Sequence, residues 1–95
     1  MNSKLNELYK YSDPEEVNRR ADELYLPGPV HPSSRKDKKY MIFDGTKMVH
    51  FGQMGYEDAT HHKNERRTSN FRKRNHRWAS APSWTPAWLS YHLLW

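Results

Sequence analysis

The amino-acid sequence predicts a small, single α+β domain: a β-hairpin flanked by short helices, with extended basic segments and an aromatic C-terminal helix. Three stretches carry that prediction. KKYMIFDGTKMVHF, residues 38–51, sets two β-prone runs around Asp44-Gly45, a pair that tolerates the positive φ of a tight turn. SDPEEVNRRADELYL, residues 12–26, opens with helix-start chemistry. TPAWLSYHLLW, residues 85–95, begins on a cap followed by proline and then crowds its large apolar side chains together.

In chain order, Leu5, Leu8 and Tyr9 stand at helical spacing after Ser3 and suggest a short first helix or turn. Asp13 caps the next helix, Pro14 suits its first position, and Glu15 and Glu16 complement the positive end of its dipole. Val17, Ala21 and Leu24 mark one face, which predicts a helix over 14–25. Leu26-Pro27-Gly28-Pro29 ends it, and VHPSSRKDK reads as a linker. In the hairpin, a two-residue loop pairs Tyr40 with Val49, whereas a four-residue loop pairs Ile42 with Val49. Either register keeps Tyr40, Ile42, Val49 and Phe51 on one face. Two strands alone are marginal, so the 14–25 helix or the C-terminal tail is needed to cover them. Residues 57–78 then predict one or two basic helices with little apolar stripe, and Thr85-Pro86 starts a last helix over 87–94. The division is an N-terminal helical segment and Pro-rich linker, 1–32, followed by the hairpin, basic region and aromatic anchor, 33–95.

Composition narrows the function classes. Only 35% of the 95 residues are apolar, yet 14% are aromatic, whereas disordered chains are poor in aromatics. The core is therefore thin, and strong anchors are present. Cysteine is absent, no run approaches the roughly 20 apolar residues of a membrane span, and the N-terminus lacks a signal-peptide core. These features point to a reducing, soluble compartment. Charge is uneven: residues 1–34 carry four Lys/Arg against six Asp/Glu, and residues 35–95 carry twelve against five. The second part would attract polyanions or an acidic protein surface.

No catalytic constellation, P-loop or Gly-x-Ser-x-Gly stands in the sequence, and Glu57-Asp58 is explained by a helix start, so an enzyme is not expected. No cofactor is implied. His61-His62 are adjacent and would point to different sides of a helix, so no metal site is expected; His50 and His92 lie among aromatics and read as hydrogen-bonding at a packing edge. Two features point to partners. The first is a basic patch, Arg66, Arg67, Arg72, Lys73, Arg74 and Arg77, with Phe71 inside it and Trp78 after it. It would grip phosphates while an aromatic ring stacks on a base, or dock an acidic protein. The second is the apolar end, Trp84, Trp88, Tyr91, Leu94 and Trp95, which either closes the chain's own core or seats in a neighbour's groove.

The run RKDKKYMIFDGTKMVHFGQMGYEDATHHKNERR and the ending WTPAWLSYHLLW resemble a family of small proteins encoded by nucleocytoplasmic large DNA viruses, over roughly residues 33 to 95. Its most specific parts are KKYM, VHFGQMGYED, ERR and SYHLLW. The resemblance implies a viral origin and association with the virion, with the host cytoplasm or viral factory as the place of assembly. It transfers no catalytic or ligand residues. The resulting expectation is a minor capsid protein that cements the major capsid protein and other minor capsid proteins through the aromatic anchors and the basic surface. The alternative is a virion-associated nucleic-acid-binding protein.

Overall fold

The computed structural model describes residues 3–95; Met1 and Asn2, which open the predicted N-terminal segment, lie outside the described residues. Helix α1 spans Ser3–Leu8 and α2 spans Pro14–Glu23. The Asp13 carboxylate accepts from the Glu15 and Glu16 amides, as the cap reading required, and α2 turns Val17 and Ala21 inward. The helix ends before the predicted Tyr25. Leu24 is its cap and stays exposed, because Tyr25 takes a left-handed φ of 57° and redirects the chain.

Strands β2 (Lys38–Phe43) and β3 (Met48–Gln53) form the predicted hairpin in the four-residue register, Ile42 opposite Val49 and Tyr40 opposite Phe51. Asp44 decides the register. Its amide donates to the Lys47 carbonyl at 3.0 Å, and its carboxylate accepts from the Thr46 and Lys47 amides at 2.8 Å. The expected linker is corrected: His31–Pro32 forms strand β1, antiparallel to β2, with His31 opposite Met41. Two residues are too few to show an alternating pattern in sequence. The strand exists because Val30 is buried and Asn18 on α2 clamps its backbone, accepting from Val30 N–H at 2.8 Å and donating to its carbonyl at 3.1 Å.

The basic region divides into α3 (Ala59–His62), α4 (Glu65–Arg74) and a 3₁₀ helix at His76–Ser80. The last element is α5, Pro86–Leu89, capped by Thr85, and it widens into a π-helical turn at Ser90–Leu94. Leu89, Leu93 and Leu94 enter one core with Leu8, Val17, Val30, Tyr40, Ile42 and Phe51. That core draws on both sides of the predicted boundary at residue 32. The tail covers the sheet, through α5 and the π-helical turn against β3, and α2 packs on that turn and adds Val17 and Ala21 to the same core.

Two features bind the tail to the sheet. Gly52 has φ +81°, and a Cβ there would lie 2.9 Å from Leu94 Cδ1 and 3.1 Å from Lys39 Cβ, so only glycine lets the tail come this close. Beside it, Lys39 and Asp58 form a buried ion pair at 2.9 Å. Asp58 accepts only, so the Thr60 hydroxyl donates to it; Ser12 then donates to Thr60 at 3.1 Å, and Tyr40 donates to Ser12 at 2.6 Å. Desolvation pushes the Lys39 ammonium below its ordinary value, and the Asp58 carboxylate opposes that shift. The network ties β2, α3 and the α1–α2 turn into one unit.

Candidate nucleic-acid interface

Helix α4 buries none of its residues. Its local signals are complete: Asn64 caps it by accepting from the Arg67 amide at 3.0 Å, Glu65 lies in the first turn, and three cations fill the last. Capping alone does not hold a helix this polar against a body. An aromatic column does so. Phe71 stacks on Trp95 with centroids 4.0 Å apart and planes 7° from parallel, and Trp78 meets Phe71 edge-on at 5.8 Å. His62 lies against the other side of the column, 5.3 Å from Trp95. Arg72 adds a hydrogen bond from Nε to the Trp95 carbonyl at 3.1 Å and lies over the Tyr91 ring at 5.0 Å.

The six cations of the predicted patch are all exposed, and the structure sorts them. Arg72 is engaged with Trp95 and Tyr91, and Arg67 pairs with Glu57 at 3.3 Å. Arg66, Lys73, Arg74 and Arg77 have no carboxylate within ion-pair distance among the described residues. Arg66, Asn70 and Lys73 recur at helical spacing and share one side of α4. The result is a solvent face with excess positive charge and side-chain donors.

The predicted apolar anchors are brought together, but inside. Leu94 is 2% exposed and sits in the core, while Trp84, Trp88 and Trp95 are partly buried against it. Tyr91 is partly buried under Arg72. Of the two readings of the tail, the structure takes closure of the chain's own core, which corrects the assignment of Leu94 as an anchor for a neighbour. The reason is geometric: Gly52 opens a slot at the sheet, and a leucine fills it. Trp84 takes a left-handed φ of 71° to bring the tail in.

His50 and His92 hydrogen-bond as the sequence predicts. The His50 ring nitrogen shares a 2.6 Å hydrogen bond with Ser33, and His92 Nε2 lies 3.2 Å from the Ala79 carbonyl. Among the described residues, no group of three ligand-type side chains could hold a metal. His61 and His62 diverge, His61 toward Glu57 at 2.6 Å and His62 toward Trp95. The Asn64 amide donates to His62 Nδ1 at 2.9 Å, so the neutral ring carries its proton on Nε2, which is buried without a hydrogen-bond partner among the described residues.

Burial lowers the His62 pKa, and Arg67 and His61 add to the shift against the opposing Glu57 and Asp58. His50 is lowered as well, by burial and then by Arg35 and Lys4 against Asp37. A lowered histidine binds its proton more readily in the unfolded chain, so this contribution is complete above the ordinary value of 6.5 and is lost as pH falls below it. Thermal melts should therefore show the melting temperature falling from about pH 7 to about pH 5, and His62→Gln, which keeps an acceptor, should flatten that slope. An unchanged slope would remove His62 as its cause.

Sequence reasoning missed the groove between the hairpin end and α4. It has a volume of about 650 Å³ and is lined by Lys38, Tyr56, Phe71, Arg74 and Trp78. Tyr56 is 69% exposed and Trp78 36%. The aromatic interleaving of the basic run was the available signal, but Lys38 and Tyr56 join the site only through the fold.

No helix of the described residues is long and apolar enough to cross a membrane. No curated protein and no solved structure matches the chain. A family model does match over residues 28–75, a span that holds the sheet, α3 and α4. Since that span is half of its length, the chain belongs to this family, a Family of unknown function (DUF5754).

Proposed function

We propose that this protein binds nucleic acid through the solvent face of α4. The observation that carries the reading is the division of charge on that helix and the turn after it. Four exposed cations, Arg66, Lys73 and Arg74 on α4 and Arg77 in the 3₁₀ helix that follows, lack carboxylate partners among the described residues, and neither element buries a residue. Phosphates neutralised by such cations release counterions, which gives affinity without an apolar contact area. Protein docking instead draws on buried aromatic anchors, and the tail's anchors are engaged internally.

The test is a salt titration of binding to a short duplex and a single strand of matched length. Affinity should fall steeply with salt, and Arg66→Glu/Lys73→Glu/Arg77→Glu should weaken it at least about tenfold and reduce the salt slope by roughly one per lost contact. The melting temperature should barely move, since surface changes alter stability by roughly 0.5 kcal/mol or less. Absence of measurable binding near about 0.1 M salt would dismiss the reading.

The second reading is a minor structural protein of a large DNA virus particle, contacting the major capsid protein or other minor capsid proteins. It is supported by the sequence resemblance and by one surface, the cross-strand pair Phe43 and Met48, 52% and 38% exposed. Mass spectrometry of purified, genome-free shells tests it. Absence of the chain from shells, with presence in genome-filled particles, would leave the nucleic-acid reading.

A further inference from the structure

We propose that the groove between the hairpin end and α4 takes single-stranded nucleic acid, with bases stacked on Trp78 and Tyr56 and phosphates held by Lys38 and Arg74. This rests on the nucleic-acid reading above and specifies the form of the ligand. The groove joins two kinds of group that seldom serve the same bland purpose. Tyr56 and Trp78 leave large ring surfaces open, and the edge contact to Phe71 fixes the tilt of Trp78. An immobilised ring has already lost the freedom that stacking would otherwise remove.

The charge of the groove is complementary to phosphate. Its one lining side-chain carboxylate, Glu57, is engaged by Arg67 at 3.3 Å and His61 at 2.6 Å. Lys39 is matched by Asp58. Lys38 and Arg74 have no carboxylate within ion-pair distance among the described residues, so the wall is net positive. A duplex presents base edges in its grooves and keeps its ring faces stacked, so it cannot use the open aromatics; an unpaired strand can. The volume of about 650 Å³ lies inside the range of roughly 300–1,000 Å³ typical of small-molecule clefts.

The experiment is fluorescence anisotropy of the full chain with a labelled oligothymidine of about 12 nucleotides, a duplex of equal length, and poly-glutamate as a protein-like polyanion. Single strand should bind more tightly than duplex or poly-glutamate at matched salt. Trp78→Ala and Tyr56→Ala should each lower single-strand affinity roughly tenfold and leave duplex affinity within about twofold, with Trp78→Phe retaining most of it. Tyr56→Ala guards against misfolding of the Trp78 variant, because Tyr56 is largely exposed. Equal binding of strand and duplex, or aromatic variants that weaken neither or both alike, would overturn this inference and leave the α4 reading standing. Preferential binding of poly-glutamate would overturn it in favour of an acidic protein partner. Failure of both nucleic acids to bind would remove it together with the reading on which it rests.

Discussion

A chain ending at Ser83 should lose cooperative folding. The deleted residues include Leu89, Leu93 and Leu94, which are 0%, 0% and 2% exposed in the common core. Burial of each such side chain stabilises by about 1.5–3 kcal/mol, so together they rival the whole net stability of about 5–15 kcal/mol of an ordinary domain. The deletion also removes Trp95, the ring on which Phe71 stacks, and with it the main hold on α4. Near-UV circular dichroism and a thermal melt would read the loss. The point variant Leu93→Ala, with chain length intact, should cost about 2–5 kcal/mol. A truncated chain with a native-like cooperative melt would show that the tail is an appendage, and the partner-groove reading would return.

Lys39→Met should be the most damaging single charge removal in the molecule. The methionine follows the aliphatic stem of the lysine, so packing is largely kept while the ammonium is deleted. Asp58, whose side chain is 1% exposed, then keeps its contacts to Thr60 but loses its counter-ion. Breaking a buried pair from one side costs about 3–5 kcal/mol, whereas removing both charges is far milder. Urea denaturation of Lys39→Met, Asp58→Asn and the double variant should therefore give strongly non-additive losses, with the double variant more stable than Lys39→Met. A loss below about 1 kcal/mol for Lys39→Met would mean that the ammonium has little weight in the fold.

The motifs on which the viral resemblance rests largely build the framework. Lys39 and Tyr40 of KKYM, Phe51, Gly52 and Asp58 of VHFGQMGYED, and Leu93 and Leu94 of SYHLLW are all buried. The cations that would meet a partner are, apart from Lys38 at the start of KKYM, on α4 and in the 3₁₀ helix that follows: Arg66 within ERR, and Lys73, Arg74 and Arg77 beyond it. Fold-holding and partner-meeting residues are thus largely separate. Substitutions on the outer side of α4 can change binding without threatening stability.

What the sequence alone determined is local or periodic. The Asp13–Pro14 helix start, a hairpin turn beginning at Asp44 and the core face of Tyr40, Ile42, Val49 and Phe51 depend on nearby residues and are found, while the loop length, open in the sequence between two and four residues, is four. The basic run was legible as charge. Tertiary structure decided the remainder: β1, the Lys39–Asp58 pair, the slot at Gly52, and the return of Trp95 to hold α4. Each of these joins residues far apart in the chain, and composition cannot choose among distant partners. The aromatic end carries the clearest case. Its apolar surface required burial somewhere, and only the position of a glycine on β3 fixed that place within this molecule.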